Sequence, residues 1–353
     1  MSNPQRLILC FLFCLPTSAL AQQGAVSPAQ APAAAPALAA SRINLDVLVT
    51  DKARKPVGEL EPSDFTLLDN DQPRKILGFR RTDGVAGSKV DPPVEVIIVL
   101  DAFNVPYQAV TLQRLELDKF LRSNDGHLAQ PVSIFVFSSD GLRVQPAPSR
   151  DGNALAAALD HVGPVRAMDS ASGVFGEVER LNTSVQTMQG IAENEARKPG
   201  RKMVIWIGSG WPWLEANAFV KSNEARRSYF RSIVQLSTRL REARITLYAL
   251  YARIAISSIA YQAYMKPITE AKKADSGNLG LQVLAAQSGG RVLDGSNDLS
   301  GQVIDCISDI GPYYTLSFAQ PPAAQADEYH ALKVQVSQPG LTARTNTGYY
   351  NQP

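Results

Sequence analysis

The run VEVIIVLD, residues 94–101, constrains the fold more than any other part of the chain. Apart from Glu95, every residue before Asp101 is aliphatic. A strand with one face in water alternates apolar and polar residues. An unbroken aliphatic run is instead a strand covered on both faces, as in a parallel sheet with helices above and below. The middle of the chain meets that demand. A helical segment, YQAVTLQRLELDKFLRS, precedes a second strand, VSIFVFS (132–138), and LRVQPAP (142–148) is a short edge strand stopped by its prolines. Helical patterns recur at 151–161 and about 175–197, then KMVIWIG (202–208), a helix at about 218–242 and ITLYALY (245–251). In that last helix Phe230, Ile233, Val234 and Leu240 form one apolar stripe. LGLQVLAAQSGGRVL gives a helix, a Gly-Gly stop and a short final strand, and a helix at about 298–310 follows. Residues 253–277 are ambiguous, a loop with a helical turn. The alternation predicts an α/β domain over residues 91–310 with an open, doubly wound, mostly parallel sheet.

Both ends of the chain are strand-like. INLDVLVTD (43–51), DFTLLDN (64–70) and PRKILGFRR (73–81) lie on one side of the middle; YYTLSFAQ (313–320), YHALKVQVSQ (329–338) and TARTNTGYY (342–350) lie on the other. The turn chemistry of Asp69-Asn70-Asp71-Gln72 predicts that the second and third runs form a hairpin. Three strands do not readily make a stable sandwich, but three plus three do. Residues 42–90 and 311–353 are therefore expected to form one small β-sandwich with the α/β domain inserted in it. The alternative is a pair of separate hairpins packed on the middle domain.

The first residues stand apart. Arg6 precedes nine apolar residues, Leu7 to Leu15, and then Pro16 and the small residues leading to Ala19-Leu20-Ala21. This reads as a secretory signal, residues 1–21, cleaved after Ala21; the apolar core is about half of what a membrane helix needs. Residues 22–41, almost all Ala, Pro and Gln, read as a flexible linker. The expected product is exported, periplasmic or extracellular, with no membrane span after cleavage. Of the three cysteines, Cys10 and Cys14 leave with the signal, and Cys306 remains among apolar neighbours as a buried thiol. A net charge of +2, from 35 basic and 33 acidic residues without like-charged blocks, argues against nucleic acid as a partner.

Ligands of doubly wound sheets bind at the carboxyl ends of the strands. Asp101 sits at one such end, and Gly208-Ser209-Gly210-Trp211 at another. The acid after the first strand and the small-residue turn after the fourth resemble the von Willebrand factor type A fold. So does the ordered set LDVLVTDKARKPVGELEPSDFTLLDNDQPRKILGF, VIIVLD, RKMVIWIGSG, ITLYALY, LAAQSGGRVL and PGLTARTNTGYY. The chain is similar to the exported von Willebrand factor A-related proteins common in acidobacteria, over most of residues 43 to 350. The resemblance implies a role in protein–protein interaction or adhesion.

That fold often carries a metal-ion-dependent adhesion site, with Asp-x-Ser-x-Ser after the first strand and a Thr and a second Asp from later loops. Only Asp101 matches; Phe103 and Val105 occupy the hydroxyl positions, 168–173 (MDSASG) holds no Thr, and Ser209-Gly210 runs straight into Trp211. The resemblance therefore implies a degenerate site, with no metal and no other cofactor. In place of the cation, Asp101, Phe103, Asn104, Val105, Tyr107, Ser209, Trp211 and Trp213 are the candidate residues of a cation-independent, largely apolar top surface for an unknown protein partner. Two bland readings stand beside it: the aromatics plug the top of the domain, and Asp101 accepts N–H groups of its own loop. The chain would then be a structural envelope component with no ligand at that face.

Catalysis finds little footing. The three histidines, His127, His161 and His330, have no His, Cys or Glu partner at metal-ligand spacing. Gly208-Ser209-Gly210 lacks the five-residue frame of a nucleophile elbow, and no phosphate loop is present. A serine hydrolase would have to draw on Ser138-Ser139-Asp140 with His127 or His161 as base.

Overall fold

A computed structural model describes residues 42–86, 91–161, 173–212, 222–252, 259–294 and 296–352. The expected signal and linker, the 168–172 part of the Thr-position loop, and Trp213 lie outside these residues.

The aliphatic run forms β5 (Glu95–Asp101), the strand on which the sheet is built. Around it lie β6 (His127–Ser138), β7 (Gly141–Val144), β8 (Ser149–Asp151), β9 (Lys202–Ile207), β10 (Ile245–Ala252) and β11 (Val292–Asp294). Their order is β11-β10-β9-β5-β6-β7, with β8 also on β6. The pairs among β11, β10, β9, β5 and β6 are parallel; β7 and β8 run antiparallel to β6. From β5 the chain passes first to β6 on one side and later to β9 on the other. The switch point of this doubly wound sheet therefore falls between β5 and β9.

Helices cover both faces, which is why β5 and β9 are buried at almost every residue. On one face α1 (Tyr107–Arg122), α2 (Gly152–Asp160) and α7 (Leu299–Ile307) pack on Val96, Ile98 and Leu100. On the other, α3 (Gly173–Ala196), α4 (Asn223–Glu242) and α6 (Leu281–Gln287) pack on Ile97 and Val99. The region read as ambiguous contains α5 (Ile259–Tyr264) and short single turns. Cys306, on α7, is a free buried thiol, and burial pushes its pKa up to about 12. No helix among the described residues is long and apolar enough to cross a membrane.

The terminal strands make two four-stranded antiparallel sheets, each drawing on both ends of the chain. One has β1 (Arg42–Thr50), β4 (Gly78–Asp83), β12 (Pro312–Ala319) and β14 (Thr342–Arg344) in the order β14-β1-β12-β4. The other has β2 (Phe65–Asp69), β3 (Gln72–Arg74), β13 (Glu328–Val336) and β15 (Gly348–Asn351) in the order β15-β13-β2-β3. Leu45 and Val47 of the first and Leu67 and Val334 of the second join one hydrophobic cluster.

Two of the expected strands are each two strands. PRKILGFRR breaks after Arg74: β3 completes the hairpin with β2, while β4 crosses to the other sheet and pairs with β12. TARTNTGYY breaks likewise, β14 pairing with β1 and β15 with β13. Three plus three thereby becomes four plus four. The entry to and exit from the middle lie side by side, since Gly84 N–H donates to Gly311 O at 3.1 Å and Asp83 stands opposite Pro312.

Candidate functional site

At the carboxyl end of β5, the Asp101 carboxylate is fully buried and takes four N–H donors. Its Oδ1 accepts from the backbone N–H of Phe103 at 3.0 Å and of Asn104 at 2.9 Å. Its Oδ2 accepts from the Asn104 side-chain amide and from the Trp206 indole Nε1, each at 2.9 Å. An ionised carboxylate offers about four acceptor sites, so this one has no free lone pair. Burial raises its pKa, and the bonds from Asn104 and Trp206 act against that rise.

The loop around it is tied down by the same atoms. Asn104 Nδ2 also donates to Ser184 Oγ on α3 at 3.0 Å, and Ser209 Oγ donates to the Asn104 carbonyl at 3.3 Å. Gly208 is needed here because a Cβ would lie 2.8 Å from Asp101 Cβ and 3.2 Å from its Oδ2. Gly210 is needed twice over. It takes a φ of +90°, and a Cβ there would lie 2.5 Å from the Gln282 amide nitrogen.

That turn at Gly210 sends Trp211 inward. The aromatics form a ladder rather than a surface: Phe103 on Phe137 at 4.8 Å, Phe137 on Trp206 at 5.8 Å, and Trp206 on Trp211 at 5.4 Å, the last two edge-on. The expected apolar top surface is corrected accordingly. Asp101, Phe103, Val105 and Trp211 are buried, Trp211 with 3% of its surface exposed: Phe103 and Trp211 belong to the ladder's cluster, and Val105 packs in the cluster on the other face of the sheet. Asn104 and Ser209 are half-buried. Tyr107, at the start of α1, is 57% exposed. On the same helix Leu112 and Leu115 are also exposed, at 61% and 64%.

Three participants were not singled out in the sequence: Trp206, Ser184 and Phe137. Trp206 left a signal, since an indole in the middle of a buried strand needs an acceptor for its N–H. Ser184 and Phe137 left none, being an ordinary helical serine and an ordinary strand phenylalanine. Beside Gly210, Gln282 is fully buried; among the described residues neither of its amide atoms is hydrogen-bonded and the Trp211 indole N–H has no acceptor.

The histidines lie elsewhere. His330, on β13, is buried, its Nδ1 2.7 Å from Asp69 Oδ1 and its ring stacked on Tyr349. His127 and His161 are exposed, at the start of β6 and the end of α2. Ser138 Oγ accepts from the Asp140 N–H of its own turn at 3.3 Å. Among the described residues no cluster of three or more His, Cys, Asp or Glu side chains is arranged to hold a metal.

At the opposite end of the sheet a second polar cluster joins the middle to the terminal sheets. Arg244, just before β10, donates to both Asp46 oxygens at 2.9 and 2.8 Å and to Asp91 Oδ1 at 2.7 Å. Arg80 adds a second ion pair to Asp91 at 2.7 Å. Lys202 Nζ, at the start of β9, donates to the carbonyls of Glu195, Lys198 and Ala243 at 2.8, 2.6 and 3.3 Å.

No protein-family model matches the chain, and no curated protein matches it. Among solved structures, the human COPII-coat protein Sec24c aligns at 8% identity and a TM-score of 0.35, over 78% of this chain and 46% of that one. The SpRpn10 VWA domain aligns at 11% identity and 0.33, over 60% of this chain and 94% of that one. The pilus adhesin SpaC from Lactobacillus rhamnosus GG, in its open conformation, aligns at 11% identity and 0.37, over 84% of this chain and 42% of that one. The chain thus spans less than half the length of Sec24c and of the adhesin. At such scores these likenesses carry no weight for function.

Proposed function

We propose that the chain is an exported, non-catalytic protein-interaction module: a von Willebrand factor A-like domain, over residues 91–310, inserted in a β-sandwich made by the two terminal sheets. In this reading the adhesion-type metal site is degenerate and the partner is met without a cation. The observation that carries it is the coordination of Asp101. The residues at this position do not fit a divalent cation, which needs several free oxygens. The one carboxylate is filled by four N–H donors, and the positions where hydroxyls would stand hold the buried apolar side chains of Phe103 and Val105.

The contact surface moves accordingly. With Phe103 and Trp211 in the core, the exposed apolar groups beside the top loops, among the described residues, are Tyr107, Leu112 and Leu115 on α1. Replacing Leu112 and Leu115 by Ser should leave folding stability within about 0.5 kcal/mol, because exposed side chains contribute little to it. A urea titration checks this; a larger loss would mean that the two leucines are packing residues and not a contact surface.

The metal reading is tested by melting the full chain in EDTA and then with excess Mg²⁺, Mn²⁺ or Ca²⁺. A cation bound only to the folded state at about a hundred times its Kd adds ~2.7 kcal/mol. In a protein of this size that raises the midpoint by several degrees. We expect no shift. A shift lost in Asp101→Ala would restore a cation-dependent site.

A second reading has its own observation. The burial of Trp211 at 3% favours a structural envelope component, in which the top of the domain is a packing unit with no ligand.

A further inference from the structure

The amino end of the parallel sheet, where the α/β part meets the terminal strands, holds a cavity of about 480 Å³. That is within the roughly 300–1,000 Å³ range of small-molecule sites. Its walls carry five charged side chains: Arg42, Arg241, Arg244, Asp46 and Glu242. Arg244 is committed to Asp46 and Asp91. Arg241 is not matched in this way. Its side chain is 12% exposed, its Nε is buried with no acceptor among the described residues, and its carboxylate neighbour, Glu242, is 3.8 Å away and itself 58% exposed. Burial lowers the Arg241 pKa, with Glu242 acting against that fall. This guanidinium lines the cavity with too little negative charge around it.

The rest of the wall is neutral, polar residues mixed with Ile43, Ile245 and Tyr350. Asn44, Thr238 and Asn346 line it without a side-chain hydrogen bond to another described residue. The five charged walls sum to one net positive charge, three arginines against two acids. This suits a monoanion better than a dianion.

We propose that this cavity binds a small polyhydroxylated monocarboxylate of the sugar-acid class, its carboxylate on Arg241 and its hydroxyls on Asn44, Thr238 and Asn346. The carboxylate supplies the close negative charge that the Arg241 guanidinium lacks, Glu242 standing 3.8 Å off, and the amides and hydroxyl offer both donors and acceptors to a polyol. Glu242, at the rim, opposes the anion and weakens the site.

Calorimetric titration of the full chain with D-galacturonate, D-galactose and inorganic phosphate tests this. Galacturonate should bind at least tenfold tighter than the neutral sugar. Arg241→Gln should lose at least tenfold in affinity, and Glu242→Gln should gain severalfold. The Glu242 variant alters an exposed side chain, so it remains a test if Arg241→Gln does not fold. Absent galacturonate binding, equal binding of galactose, tighter binding of phosphate, or affinity unchanged in either variant would each overturn the proposal.

Discussion

At its carboxyl end the parallel sheet holds a buried carboxylate with neutral N–H groups; at its amino end it holds two carboxylates with an arginine. Asp101 is met by Phe103, Asn104 and Trp206, all within the α/β part. Asp46, from a terminal strand, and Asp91, from the connection into β5, are met by Arg244. The carboxyl end is therefore completed from within, and an aromatic ladder closes it. The amino end is completed across the junction, where long charged side chains bridge the parts and leave a cavity between them. The lesson concerns where ligands go. Among the described residues, the end of the sheet that usually binds them has its acid filled by neighbouring N–H groups, and the end that usually serves stability has the cavity.

Three substitutions probe that contrast. The largest effect is expected at the amino end. Arg244→Ala leaves Asp46 and much of Asp91 without their shared cation and should cost about 3 kcal/mol, since removing one partner strands the other's buried charge. Urea midpoints measure it; a loss below ~1 kcal/mol would mean that the junction is not held by this network. At the carboxyl end, Trp206→Phe keeps a ring against Phe137 and Trp211 but removes one of the four donors. A hydrogen bond to a charged group contributes about 1.5–3 kcal/mol, so a loss of about 2 kcal/mol is expected. No loss would show that the indole packs there without serving the carboxylate.

The smallest effect is a pH dependence at the amino end. Burial lowers the Lys202 pKa from 10.5 to about 8, while Glu195 pulls it back up. Between those values the unfolded chain binds more protons than the folded one, so stability rises with pH across the window; below about pH 8 the penalty is fully present. Relative to Lys202→Met, the wild type should gain roughly 1–2 kcal/mol between about pH 7.5 and about pH 9.5, read from urea titrations at each pH. A flat difference would mean that the three carbonyls around Nζ hold the ammonium charged.

The comparison also separates what was legible in the residues from what was not. The aliphatic run at 94–101 and its counterparts at 202–208 and 245–251 read correctly as buried parallel strands, because a strand covered on two faces leaves its mark in every residue. PRKILGFRR and TARTNTGYY did not read correctly, because β-like residues look the same in one strand as in two that part company and enter different sheets. Pairing partners more than two hundred residues away decide that: Gly78 stands opposite Ser317, and Leu48 opposite Arg344. At the candidate site, Asp101 was visible as an acid ending an aliphatic run. The direction taken by Phe103 and Trp211 was not, since aromatic composition is the same for an exposed anchor and a buried plug.

The sequence by itself determined the α/β middle, the strand character of both ends and the lone acid among apolar neighbours at residue 101. These are properties of local pattern: side-chain period, aliphatic content and residue type at fixed spacing. The tertiary structure alone decided that the acid is satisfied by Trp206 from a neighbouring strand, that a left-handed turn at Gly210 folds Trp211 into the core, and that Arg241 faces a polar cavity. Each of these depends on which distant side chain arrives at a given atom, and in a chain this long that is set by packing across the sheets.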